Sequence, residues 1–357
     1  MGNYIYHLIH EVVRLDNHNT YVIFVSEQNK QFFRIRKRNV HLVNLGRVVT
    51  NNIYRGYFEQ FVVPRLLKRY TCDLYHNPGF TLPTKKTMKH IVTIADMTYF
   101  SHPEYHIWWK VPYFRWMIPK AINNAERVIV ISESTKKDIL KYVPGTENKI
   151  KIIYLGLDAR YKIIDKKVCR KKVAQDYSLN EPFIVSVGML EPRKNIVGLL
   201  KAFAQVKTAH KLVIIGEKGW MYNDIFETIK KLHLNERVRF LGYIPDEVLP
   251  SFYNAATVFI YPSFYEGFGL PVLEAMACGC PVITSNNSSM KEIAHDAALL
   301  VEPDNVQDIA YTMNRLLRDE PLQKALARKG FTRSRQFSWG KMAHETIALY
   351  EEVYSEK

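Results

Sequence analysis

Cysteine is scarce in this sequence. Its four residues, Cys72, Cys169, Cys278 and Cys280, make no CxxC pair and no spacing with histidine of the zinc-site kind. That excludes a disulfide-stapled secreted scaffold and a zinc module, and the expectation is reduced thiols in a cytoplasmic protein. Long apolar runs are missing as well: no stretch approaches the roughly 18 uninterrupted apolar residues of a spanning helix. The N-terminal MGNYIYHLIHEVVRL carries charges inside its apolar pattern and has no small-residue cleavage site, so it does not read as a signal peptide. Low-complexity segments and short repeats are absent. The histidines His7, His10, His76, His90, His102 and His106 never fall at a ligand spacing on one helix, and no metal is expected.

What is present is an ordinary globular composition, 47% apolar and 24% charged over 357 residues. That length suits two α/β domains better than one, because single cores rarely grow much beyond ~250 residues. The charge is lopsided. Residues 1–157 hold 23 Lys+Arg against 11 Asp+Glu, whereas residues 158–357 hold 27 against 24. A basic first half suits an anionic partner, whether nucleic acid, phospholipid or a phosphorylated acceptor, or else simply keeps the surface soluble. No helix-turn-helix, RNP-like motif or zinc module accompanies the charge, so nucleic acid is not the expected partner.

Short β-branched runs alternate with helical patterns along the whole chain, which predicts parallel sheets covered by helices on both faces. The first series is Tyr21–Ser26, Val40–Leu45, Asp73–His76, His90–Ile94, Arg127–Ser132 and Lys151–Leu155. A second follows, Phe183–Gly188, Lys211–Gly216, Val238–Leu241, Val258–Tyr261, Pro281–Thr284 and Ala298–Val301. Two similar series predict two Rossmann-like, doubly wound domains facing a central cleft. The expected division is 1–160, 174–338, and a last helix 339–357 that packs on either domain. Gly156–Val173 reads as the boundary, since an apolar strand gives way there to a charged, aperiodic stretch.

Two strings carry chemistry. In PSFYEGFGLPVLEAMACGCPVITSN, Pro262 to Asn286, a strand end leads through Glu266, Gly267 and Gly269 into a helix that bears Glu274. Glycines let backbone approach a ligand, and a helix start beyond a strand's carboxyl end favours phosphate. The two carboxylates are placed to hold hydroxyls of a sugar and a ribose, or else are a helix-start glutamate and a solvated one. In SVGMLEPRKNIVGLLKAF the strand ending at Gly188 is followed by Arg193 and Lys194 just before a helix, which makes a pyrophosphate site when the first string accompanies it.

Together with IIGEKG and FLGYIPDEVLPSFYNAA, these strings resemble the donor half of family 4 retaining glycosyltransferases, and fainter similarity continues in TIADMTYFSHPEY and ERVIVISESTKKDI. The resemblance implies a GT-B fold. It implies that Arg193 and Lys194 hold the diphosphate of a nucleotide-sugar donor, that Gly188 belongs to the donor site, and that Glu274 holds the ribose. Glu266, with the backbone of Gly267, Phe268, Gly269 and Leu270, then holds the transferred sugar. Arg193, Lys194 and Glu266 are the catalytic candidates, since two cations would stabilise the leaving nucleoside diphosphate. The nucleotide sugar is a substrate, so no cofactor is expected, in keeping with the lack of an Asp-x-Asp motif. The implied reaction is retaining transfer of a hexose, mannose or glucose, to a glycan or lipid-linked acceptor in surface polysaccharide synthesis. A degenerate relative that binds donor without efficient turnover is the alternative.

Two departures from the family pattern stand out. Ala95-Asp96 replaces the usual His-Asp, leaving Asp96 as an acceptor-side candidate without the imidazole; losing one such polar contact typically costs about 10²–10³ in rate. At the start, Gly2-Asn3-Tyr4 resembles the end of the family's glycine loop. Gly2 is therefore a second acceptor-side candidate, and the first strand of the first domain is expected upstream of Met1. Finally, Tyr99–Ile122 interleaves Trp108, Trp109, Tyr113, Phe114 and Trp116 with Lys110, Arg115 and Lys120. That stretch suits either a packing helix or peripheral contact with an anionic membrane at the inner face of the plasma membrane.

Overall fold

Each of the twelve β-branched runs forms a strand in the computed structural model, which describes residues 2–33, 35–46 and 56–356. They are β1 (Tyr21–Val25), β2 (Val40–Asn44), β3 (Leu74–Asn77), β4 (Lys89–Ile94), β5 (Arg127–Val130) and β6 (Ile150–Ile152). The second series is β7 (Phe183–Val187), β8 (Lys211–Ile215), β9 (Val238–Gly242), β10 (Val258–Tyr261), β11 (Val282–Ser285) and β12 (Leu299–Val301). Among the described residues every strand pairing is parallel. The chain divides into two α/β units, Met1–Gly156 with Ser338–Lys357, and Leu157–Phe337.

The first unit opens on the helix Gly2–Leu15, whose Tyr4, Leu8 and Val12 recur every four residues and are buried. Its strands form two sheets, a β1-β2 pair and the order β3-β4-β5-β6. Ile94, Val128 and Val130 pack there against Ile118 and Ile122 of the helix Lys110–Asn124. The final helix, Trp339–Ser355, returns to this unit. Trp339 stacks on His7 with centroids 4.3 Å apart, the Tyr350 hydroxyl lies 2.6 Å from Nδ1 of His76, and Lys89 donates to the carbonyl of Val353 at 2.9 Å. A cation on the last carbonyls of a helix satisfies acceptors that have no partner within it.

The second unit holds one sheet in the order β12-β11-β10-β7-β8-β9. Ile184, Leu212, Ile260 and Ile283 from its strands meet Leu199, Leu200 and Phe203 of the helix Ile196–Gln205, all essentially excluded from water. Where the sequence shows only a charged stretch before Val173, the structure has a helix, Lys166–Tyr177, inside the second unit. Asp165 caps it by accepting from the amides of Lys167 and Val168 at 2.8 and 3.0 Å. Only Cys169 and Val173 of that helix are buried, which explains why no apolar period announces it.

The chain leaves the first unit at Gly156 and re-enters it at Ser338. A Cβ on Gly156 would lie 2.0 Å from the backbone nitrogen of Trp339, so the two crossing strands of chain touch main chain to main chain. Gly156→Ala is expected to destabilise the first unit by about 3 kcal/mol, the upper range for overpacking against atoms that cannot yield. Urea unfolding followed by tryptophan fluorescence checks this, and a change within about 0.5 kcal/mol, the scale of an inert surface substitution, would show that the crossing is soft.

Candidate active site

In the second unit β7 has β8 on one side and β10 on the other, so the order of connection reverses between β7 and β10. Outside the carboxyl ends of two such strands the loops diverge in opposite directions and leave a crevice where ligands bind. Both chemical strings of the sequence emerge there. β7 leads through Gly188 into the 3-10 turn Pro192–Lys194, and β10 leads through residues 262–269 into the helix Leu270–Ala277.

The adjacent Arg193 and Lys194 form one cluster with Glu266, 73 and 72 residues further along the chain. The Lys194 ammonium donates to Oε1 of Glu266 and to the Tyr261 hydroxyl, each at 2.6 Å. Arg193 donates through Nη1 to Oε2 of Glu266 at 2.7 Å and to the Tyr265 carbonyl at 2.9 Å. Its other edge donates to Oε1 of Glu191, from Nη2 at 2.7 Å and Nε at 3.1 Å. Tyr261 and Ser263 hydroxyls complete the shell on Oε1 of Glu266 at 2.9 and 2.8 Å. Burial would raise the Glu266 carboxyl, but the Lys194 ammonium and Arg193 guanidinium outweigh it and hold it down at about 2. Burial lowers the Lys194 ammonium, and the Glu266 carboxylate opposes that shift. Two cations and two carboxylates thus balance in a site that still leaves about a fifth of the Arg193 side chain exposed.

The loop after Glu266 is tied to the start of the helix Ser288–Ala294. Ser289 Oγ donates to the carbonyls of Glu266 and Phe268, both at 2.8 Å, and Ser288 Oγ accepts from the Glu266 amide at 3.2 Å. Phe268 is buried edge-on to Phe337. Gly269 sits at φ +102°, a left-handed conformation costly for other residues, and turns the chain into the helix that starts at Leu270. Gly267 and Leu270 are half-buried.

Glu274 stands apart from the ion cluster, with a different set of partners. It accepts from the Tyr253 hydroxyl at 2.9 Å and from Tyr161, and burial raises its carboxyl to about 7 against those two hydrogen bonds. Asp96 lies in the first unit, where it closes an Asx turn on the amide and hydroxyl of Thr98. Ala95 contributes only a carbonyl, which accepts from Thr135 at 3.0 Å. Gly2 is the exposed first residue of a helix, with nothing within 4 Å of a Cβ built on it. The sequence reading missed Glu191, Tyr161, Tyr253, Tyr261 and Ser263. Glu191 carries a faint signal, a carboxylate two residues before the guanidinium it holds; the others carry none.

Two family models match the chain, "Glycosyltransferase Family 4" over residues 1–161 and "Glycosyl transferases group 1" over residues 170–333. Escherichia coli O-antigen chain mannosyltransferase B is 33% identical over 290 residues, which cover 80% of this chain and 76% of that one. Escherichia coli serotype-specific mannosyltransferase WbdA is 31% identical over 230 residues, 62% of this chain and 28% of the relative's greater length. Anabaena HepE, solved in complex with UDP and glucose, superposes with a TM-score of 0.75 at 18% identity, covering 97% of this chain and 95% of its own. That likeness shows the fold, the GT-B kind with two Rossmann-like units.

The two site glutamates oppose each other in their effect on stability. Glu274, at about 7 in the folded chain, keeps a proton that the unfolded chain releases near 4.5, so its contribution to stability is lost as pH rises through that window. Glu266, at about 2, does the reverse, and its contribution is lost as pH falls from 4.5 toward 2. Glu274→Gln keeps the neutral form at all pH values. It should outlast the parent chain at about pH 8 by on the order of 3 kcal/mol and lose that advantage by about pH 4. A pH-independent difference between the two would rule out a protonated Glu274.

Proposed function

The chain belongs to the glycosyltransferases of family 4 and group 1, and on that premise we propose that it transfers a hexose, mannose foremost, from a nucleoside-diphosphate sugar to a glycan or lipid-linked acceptor during surface polysaccharide synthesis. It is a nucleotide-sugar-dependent hexosyltransferase. Mannose as the sugar and surface polysaccharide as the destination are supported by the mannosyltransferases to which it is similar.

The observation that carries the reading is the pairing of Arg193 and Lys194 with Glu266 at the β7/β10 switch point. A diphosphate is the ligand that two adjacent cations of this kind hold, one through a planar fork and one through a point charge. In the absence of donor their charge is answered by Glu191 and Glu266. A bound diphosphate takes over part of that role and leaves Glu266 carboxylate oxygens to accept from sugar hydroxyls. The amides at the start of Leu270–Ala277 add positive potential on the same loop. As the glycosidic bond breaks, negative charge grows on the departing phosphate, and cations already fixed in place stabilise it with little reorganisation. Glu274 serves the ribose, where a carboxyl near its titration point both donates and accepts. Transfer is retaining in this reading, with the departing phosphate taking the acceptor's proton. Ala95 brings no side-chain base to that step, so the phosphate and its cations bear more of it.

The test is a panel of GDP-, UDP- and ADP-sugars scored for thermal stabilisation, slow hydrolysis and the anomeric configuration of the product. GDP-mannose is expected to stabilise the chain selectively and be hydrolysed with retention. Arg193→Ala and Lys194→Ala should each lower turnover by about 10²–10³. Stabilisation without any turnover would instead make the chain a binder, and wild-type turnover in both variants would remove the cation pair from the mechanism.

A further inference from the structure

The helix Lys110–Asn124 has two apolar faces where a helix on a globular unit needs one. Its inner face, Met117, Ile118, Ala121 and Ile122, is buried in the core of the first unit. Its outer face repeats at i, i+4, i+7 as well, and it presents Trp109, Tyr113 and Trp116 at 49%, 39% and 54% exposure. Trp108, just before the helix, is 81% exposed. The patch continues onto a second element. A Cβ on Gly56 would stand 3.5 Å from the Tyr113 hydroxyl, and Tyr57 and Phe61 beyond it, 61% and 52% exposed, meet as tilted rings with centroids 5.0 Å apart. Large aromatics held in water over this much contiguous surface mark an interaction site.

The chemistry around them selects the partner. Lys120 places its ammonium 3.7 Å from the centroid of Trp116, and Lys110 sits 5.3 Å from that of Trp109. Between Glu104 and Glu126 the chain has Lys110, Arg115 and Lys120 and no carboxylate; between Glu59 and Asp73 it has Arg65, Lys68 and Arg69 and none. The two carboxylates that flank the helix are already engaged, Glu104 with His102 and Glu126 with Lys86. Tryptophan and tyrosine beside lysine, rather than leucine and isoleucine beside mixed charge, is the composition that settles at a lipid headgroup boundary. Rings lie at the level where acyl chains meet water, while ammonium groups reach out to phosphates.

We propose that this aromatic and basic face of the first unit docks on an anionic lipid bilayer, the rings entering the headgroup region and the cations meeting lipid phosphates. This goes beyond the donor chemistry, which lies in the other unit and does not depend on it.

The experiment is co-sedimentation of the full chain with vesicles of phosphatidylglycerol mixed with phosphatidylcholine, against vesicles of phosphatidylcholine alone. Tryptophan quenching by lipids brominated in the upper acyl chain is read in parallel. Binding is expected to the anionic vesicles at low salt, to weaken about tenfold or more at high salt, and to bring quenching with it. The double variant Trp108→Ser, Trp116→Ser should lose about tenfold or more of the binding while keeping its melting temperature. No binding to anionic vesicles at low salt, equal binding by the double variant, or a dimer that the double variant turns into monomer without altering vesicle binding would each overturn the proposal. Vesicle binding by a chain that fails to process any nucleotide sugar would count against the transferase reading and not against this one.

Discussion

Two cations and two carboxylates are withdrawn from water where β7 and β10 part, and the loops around them are arranged to make that tolerable. Removing such charges from solvent costs several kcal/mol each, and breaking a buried pair by deleting one partner typically costs 3–5 kcal/mol. The protein meets this with full hydrogen bonding: Tyr261, Ser263 and two cations on Glu266, and Glu191 and the Tyr265 carbonyl on Arg193. Asn195, at φ +54°, follows directly and ties the turn to the carbonyls of Pro262 and Pro303 at 3.0 and 2.6 Å. The cluster therefore ties the β7 and β10 loops to each other through charged and neutral hydrogen bonds.

The same sheet gives two glutamates on one loop and helix opposite characters. Glu266 is surrounded by cations and stays ionised, while Glu274, eight residues on, is buried with tyrosine hydroxyls and titrates near neutrality. Neither behaviour belongs to glutamate as a residue; each follows from what the neighbouring elements supply. An ionised carboxylate accepts only, whereas a protonated carboxyl both donates and accepts, so the two side chains differ in the hydrogen bonds they can make.

In the first unit the constraint is the return of the chain. Trp339–Ser355 crosses back to stack on His7, bond His76 and be capped by Lys89, and Gly156 permits the backbone crossing that begins it. The inner face of Lys110–Asn124 fills the core of that unit, and Trp109 and Trp116 on its outer side remain about half exposed.

The sequence by itself determined the class of fold and singled out the charged residues that gather at the β7/β10 switch point. Strands buried on both faces, such as β8 and β10, are written as nearly unbroken apolar runs, whereas β2, β6 and β9 are partly exposed and are marked by short β-branched runs between turn residues. Arg193, Lys194 and Glu266 sit in loops beyond strand ends, where glycine and charge are conspicuous, and Glu274 lies midway along the helix Leu270–Ala277. Only the tertiary structure decided the partners of those residues, because Tyr161 lies far along the chain from Glu274, and Tyr261 far from Lys194. It also decided that Lys166–Tyr177 is a helix and that Asp96 closes a turn on Thr98. Both faces of Lys110–Asn124 carry apolar residues, so periodicity could not say which turns inward. Periodicity and local spacing report one chain segment at a time, whereas burial, ionisation and exposure are set by segments that meet only on folding.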